Sequence, residues 1–265
     1  MSDELDPEAV PDYFSQSGTV ERWWSPDTGP LAFHYDAELK VIDDQIAIEQ
    51  DFQVLDVGTG RGRFAIHMAG LGCRTVASDI SSEMLDVARK AARDQGLLEK
   101  ISFCESSAED LSNTGRDHFD LVLCMELFDH LPDLGSALSA MRRLLAPGGY
   151  FVFTYVPTGS LYGCLGNIYR WVRRRLRPAN PMISRTYSRA EIERRLAENG
   201  FIADGYFGLG VLCINAQTRL FQTQNPLFRA ALWVARAESK RWPYHSGPLL
   251  GRIGAHVVGI ARAVD

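Results

Sequence analysis

Residues 54–64 read VLDVGTGRGRF, an apolar run that breaks into three glycines, Gly58, Gly60 and Gly62, each separated by one residue. Glycines in this pattern remove Cβ atoms and admit unusual dihedrals, so a ligand can press against the backbone. Asp79 closes the next apolar run, VASDI, where a carboxylate can accept hydrogen bonds from both ribose hydroxyls of a nucleoside. A dinucleotide fingerprint GxGxxG would need its last glycine where Arg63 stands, and no Gly-Lys-Ser/Thr follows to make a phosphate loop. The bland alternative is a tight, ligand-free strand-to-helix turn. Further on, CMELFDHLPD carries Glu126, Asp129 and His130 at spacings i, i+3 and i+4, which on one helical turn would share a face. His130 suits a base or a positioning group, and Asp133 suits the cap of a following helix.

These groups require elements to hold them. FQVLDVG, CRTVASDI, KISFCESSA, FDLVLCM and GGYFVFTYV read as strands. RFAIHMAGLG, SSEMLDVARKAARDQG and LGSALSAMRRLLAPGG read as helices between them, the second capped by Ser81 or Ser82. Strands alternating with helices imply a parallel sheet covered on both faces, and ligands of such sheets sit at the carboxyl edge.

The 265 residues, 46% hydrophobic and 23% charged, suffice for one well-buried globular domain with elaborations. A net charge of -5 argues against a general nucleic-acid partner. The N-terminus, MSDELDPEAVPDYF, has no basic region followed by an apolar one, and no apolar run is long enough to span a bilayer, so a soluble cytoplasmic protein is expected. Cys73, Cys104, Cys124, Cys164 and Cys213 are scattered without a CxxC pair, which favours reduced, mostly buried thiols.

Taken together, VLDVGTGRGRF, VASDI, SSAEDL, FDLVLCMELFDHLPD and MRRLLAPGGYFVF resemble class I S-adenosylmethionine-dependent methyltransferases over residues 50–156. The resemblance implies an α/β, Rossmann-like, doubly wound fold. Its sheet would be mostly parallel and seven-stranded, with helices on both faces and an antiparallel last strand. Asp56, Gly58, Thr59, Gly60 and Gly62 fall at the loop around the methionine part of S-adenosyl-L-methionine. Asp79 matches the ribose acid, Ile80 and Met84 the adenine faces, Ala108 and Glu109 the adenine edge, and Met125 the residue whose backbone meets the cofactor's amino-acid part. Ile80 and Met84 also suit ordinary core positions.

Such a cofactor carries an activated methyl, so the protein chiefly aligns the acceptor; a phenol of pKa about 10 additionally needs a base or a metal. The segment CMELFDHLPD looks like that of the ubiquinone-biosynthesis O-methyltransferases. In members that use Mg2+, two acids and a histidine are the implicated ligands, and Glu126, Asp129 and His130 occupy those positions. Methyl transfer to a small lipophilic acceptor, an O-methylation of a phenol, quinol or lipid, is therefore expected. The alternatives are an N- or C-methyltransferase of a small metabolite and a non-catalytic S-adenosylmethionine-binding protein. Nucleic-acid methyltransferase motifs are lacking after the fourth strand.

The flanks complete a three-part division: a helical, aromatic cap over 1–49, the binding core over 50–156, and a closing section over 157–265 with two substrate-side insertions. Where the ubiquinone branch has an arginine for the cofactor carboxylate, this chain offers only Lys40. Trp23, Trp24, His34 and Tyr35 either cover the cofactor, frame the acceptor or pack an N-terminal helix pair of the cap. In 161–177, Leu161, Leu165, Ile168, Val172 and Leu176 recur at helical spacing, with Arg170, Arg173, Arg174 and Arg177 largely opposite. Such a segment is either a lid or a peripheral contact with an anionic membrane.

Overall fold

The computed structural model describes residues 32–160, 164, 185–210, 226–247 and 254–264. Its centre is a mixed sheet of eight strands in the order β3-β2-β1-β4-β5-β8-β6-β7. The strands are β1 (Gln53–Val57), β2 (Arg74–Asp79), β3 (Ile101–Glu105), β4 (Phe119–Cys124), β5 (Leu145–Tyr155), β6 (Phe201–Leu209), β7 (His245–Ser246) and β8 (His256–Ala263). Pairing from β3 through β5 is parallel, whereas β8 runs antiparallel between β5 and β6. The chain order reverses between β1 and β4, which opens a crevice beyond their carboxyl ends.

Strands β1 to β5 are those read from the apolar runs, and β6 and β8 complete the seven that the resemblance implies. The eighth, β7, pairs two residues with Phe207 and Gly208 and is too short to leave an alternating pattern.

Helices α1 (Ala32–Gln45), α2 (Arg63–Gly70), α3 (Ser82–Asp94), α4 (Leu134–Leu144), α5 (Arg189–Glu198) and α6 (Pro226–Arg241) accompany the sheet. Ser81 caps α3 by accepting from the Met84 amide at 3.2 Å, and Asp133 caps α4 by accepting from the Gly135 and Ser136 amides. The helix expected to run to Gly149 ends at Leu144, and β5 begins at once. Pro147 explains the change: it has no amide hydrogen to continue the helix, and it disfavours helical dihedrals at Ala146.

Alternation along the strands divides the core. Val54, Leu121, Leu123 and Val152 pack with Val41 and Ile42 of α1 and Phe64 and Met68 of α2. Leu55, Val57, Val122 and Cys124 pack with Leu138 and Met141 of α4 and Ile192 and Leu196 of α5. Burial on both faces is why these strands read as continuous apolar runs. No described helix is long and apolar enough to cross a membrane. Trp23, Trp24 and the basic segment 161–177 lie outside the described residues.

Candidate active site

The glycine loop joins β1 to α2 and is tied at both ends by Asp56. Its Oδ2 accepts from Thr59 Oγ1 at 2.6 Å and from the Ala65 amide at 3.1 Å. Burial lifts the Asp56 carboxyl to about 6, against the pull of those hydrogen bonds. Asp56 and Thr59 thus shape the loop from beneath. Gly62 has φ +80, and a Cβ there would stand 2.9 Å from the Ala88 Cβ, so its bareness serves the contact between α2 and α3. Gly60 has φ +53 and nothing within 4 Å of a Cβ position, which leaves its face open to a ligand.

Asp79 sits at the end of β2, with Oδ2 accepting from the Gly60 amide at 2.8 Å and Oδ1 from the Ser81 amide at 3.0 Å. Burial raises its pKa, and these amides oppose the shift. Met84 and Ala108 are buried, while Ile80 is half-buried. Glu109 is also half-buried, and its Oε1 is sheltered without a hydrogen-bond partner, an acceptor suited to an exocyclic amine. Met125 is buried directly after β4. Gly60 and Asp79 therefore meet at the crevice, whereas a Cβ on Gly58 would stand 2.7 Å from the Leu127 side chain. This arrangement fits a nucleoside-bearing cofactor.

The segment after β4 departs from the expected helical turn. Glu126 has φ +55, a left-handed conformation uncommon for a residue with a side chain, and its amide donates to Thr154 Oγ1 at 2.5 Å. The helical part is a 3-10 turn, Phe128–His130, which starts too late to include Glu126. His130 Nε2 lies 3.5 Å from Asp129 Oδ2. The strap at Arg185–Tyr187 holds this turn: the Arg185 amide donates to Asp129 O at 3.0 Å and Tyr187 Oη to Phe128 O at 3.2 Å. Phe128 stacks on Phe153 below, with ring centroids 4.8 Å apart.

Glu126 turns instead toward α1 and β8. Its Oε1 lies 2.5 Å from His256 Nδ1 and 3.8 Å from His34 Nε2. His34 Nε2 is in turn 3.7 Å from Glu38 Oε1. The ring of His34 meets that of His256 edge-on, centroids 4.8 Å apart. Burial pushes the Glu38 carboxyl well up, with the Glu126 charge adding to it, and holds His34 low. Burial would also raise Glu126, yet His256 and His34 bring it well below its ordinary value, and His256 is raised in exchange despite its own burial. Arg63 fastens α1 to the loop by stacking over Tyr35 and pairing with Asp36 at 2.7 Å.

Of the sequence-derived candidates, Asp129 and His130 stay together, whereas Glu126 joins His34, Glu38 and His256. Sequence reasoning missed Glu38 and His256. The spacing of His34 and Glu38, four apart on one helix, was the available signal for the first. Lys40, offered in place of a carboxylate-binding arginine, is exposed and paired with Asp44 at 3.0 Å. Cys124 is fully buried, with its thiol pushed well up by that burial, as suits a strand residue.

Residues 55–153 match the family described as "Methyltransferase domain". Over that stretch the chain is similar to methyltransferases. The chain is 31% identical over 161 residues to a ubiquinone biosynthesis O-methyltransferase of Alkalilimnicola ehrlichii, a match covering 57% of this chain and 62% of the relative. A relative of the same description from Thiobacillus denitrificans is 35% identical over 140 residues, covering 52% of this chain and 59% of its own. The match therefore spans about three fifths of those relatives. The magnesium protoporphyrin IX methyltransferase of Synechocystis, solved with bound SAH, superimposes with a TM-score of 0.62 at 18% identity, over 97% of this chain and 98% of that one. This is a likeness of fold. It extends past residues 55–153 to the flanking elements.

Proposed function

We propose that this chain transfers a methyl group from S-adenosylmethionine to a hydroxyl of a small, lipophilic acceptor of the phenol or quinol type. The carrying observation is Asp79, held by the Gly60 and Ser81 amides at the crevice of a methyltransferase domain. The relatives named as ubiquinone biosynthesis O-methyltransferases support the hydroxyl acceptor.

When bound, the cofactor supplies a methyl group activated on sulfur. Asp79 would accept from its ribose hydroxyls, the open face of Gly60 and the Met125 backbone would receive its amino-acid part, and Ala108 and Glu109 would border the base. His130 removes the acceptor's proton, oriented by the Asp129 carboxylate at 3.5 Å. A hydroxyl of pKa about 10 is otherwise a poor nucleophile near neutral pH. The segment 161–177 follows β5 in sequence, and its basic, amphipathic pattern gathers the acceptor from an anionic bilayer.

Calorimetry with S-adenosylmethionine, followed by turnover on matched panels of phenols, catechols and amines, tests this reading. His130→Ala should keep cofactor affinity and lower kcat on hydroxyl acceptors by about 100- to 10,000-fold. Turnover confined to amines, or undiminished in the variant, would overturn it.

A further inference from the structure

We propose that His34, Glu38, Glu126 and His256 form a binding site for one divalent transition-metal ion of the zinc, manganese or iron class. Their ligating atoms, drawn from α1, the turn after β4 and the start of β8, all lie within 4.8 Å of one another. His34, Glu38 and His256 are buried and Glu126 is nearly so.

The hydrogen bonding within the group is incomplete. His34 Nε2 and both carboxylate oxygens of Glu38 are buried without a hydrogen-bond partner. Leaving such atoms unpaired is costly, and proteins rarely retain them without use. The separations of 3.7 and 3.8 Å are too long for hydrogen bonds. They are near those of ligands of one ion, since two donors each about 2.1 Å from a metal stand about 3.4 Å apart in a tetrahedral shell and up to about 4.2 Å apart when opposite. Closure of about 0.6 Å brings a pair at the 4.8 Å limit into that range, while the short His256–Glu126 contact opens.

Charge and donor type agree. Two carboxylates balance a dication, and two neutral imidazoles add none, so the buried group becomes neutral as a whole. Magnesium and calcium prefer all-oxygen shells, whereas mixed imidazole and carboxylate donors select the later metals. His34 and Glu38, four apart on α1, present two donors from one rigid face. Glu126 is aimed by its left-handed backbone, a strained state that the Thr154 hydroxyl secures. The set differs from the segment trio of Glu126, Asp129 and His130: it shares one residue with that trio and takes the other three from outside the segment.

The site stands independently of methyl transfer, because it is read without cofactor or acceptor. The full chain, stripped of metal and dialysed against zinc, manganese or iron(II) in separate samples, should retain one of these ions in equimolar amount by elemental analysis. At about 100 times Kd that ion should raise Tm by about 5 to 10 °C. Glu38→Gln and His256→Gln should each abolish both retention and shift, and circular dichroism of the metal-free variants shows whether they fold. Glu38→Gln removes a buried carboxyl without changing its shape, so it keeps the test usable if His256→Gln unfolds. No retained ion and a metal-independent Tm in the parent chain would overturn the proposal, as would equal retention in a folded Glu38→Gln variant.

Discussion

His256 Nδ1 and Glu126 Oε1 lie 2.5 Å apart although 130 positions separate them, and this contact joins β8 to the turn after β4. The pair stabilises the fold in a defined pH window. Glu126 is held below its ordinary 4.5, so its share is present above about that value and is lost as pH falls through the lower, folded one. His256 is raised above 6.5, so its share is complete below about 6.5 and fades as pH rises through the higher, folded value. The contact therefore contributes most between those two values.

Glu38 acts with the opposite sign in metal-free protein. Its carboxyl is raised well above 4.5 by burial, so above that pH the unfolded chain ionises while the folded one does not, and folding is penalised. Metal-free Glu38→Gln should be more stable than the parent by a margin that grows as pH rises above about 4.5 toward the raised, folded value, by up to about 1.4 kcal/mol per unit. Urea unfolding at several pH values measures this. A margin constant with pH would show that Glu38 ionises freely in the folded chain.

Asp79→Ala should weaken S-adenosylmethionine binding by about 1.5 to 3 kcal/mol, through loss of a charge-assisted contact. Calorimetry reads the change directly. Unaltered affinity in a folded variant would remove Asp79 from the cofactor site.

Gly62→Ala should destabilise the chain by about 1 to 3 kcal/mol, because the new methyl meets Ala88 at 2.9 Å and φ +80 strains any side chain. Gly60→Ala meets nothing within 4 Å, so it carries the strain without the clash. Chemical denaturation of both separates the two costs, and Gly62→Ala should lose more.

Replacing Arg170, Arg173, Arg174 and Arg177 with glutamine should reduce co-sedimentation with anionic vesicles and leave neutral vesicles unaffected, at about 1 kcal/mol per arginine. Equal, negligible binding of the parent chain to both vesicle types would leave 161–177 with a lid role alone.

What could be read from the sequence was local. Three closely spaced glycines and Asp79 each stand where an apolar run stops, and Asp133 acts on amides two and three positions on, so their types and spacing carry their places. Glu126 misled because its spacing to Asp129 and His130 suits a helix, while its left-handed backbone turns it elsewhere; no residue type announces φ +55 in a glutamate. His256 was illegible for another reason: its partners come together only when β8 pairs with β5, and periodicity within one strand is silent about that. Pro147 was legible but was outweighed by the helical pattern before it.

The placement of β8 also governs the order in which the protein can be completed on the ribosome. Because β8 lies between β5 and β6, those two strands emerge with no neighbour on their facing sides and wait for residues 256–263. Tyr150 pairs in register with Arg262, a long-range closure that follows the synthesis of both β5 and β6. Until then the nascent chain exposes two apolar strand edges, the state in which such chains most readily associate wrongly. A ribosome stalled short of residue 256 would hold a formed glycine loop beside an open half-sheet.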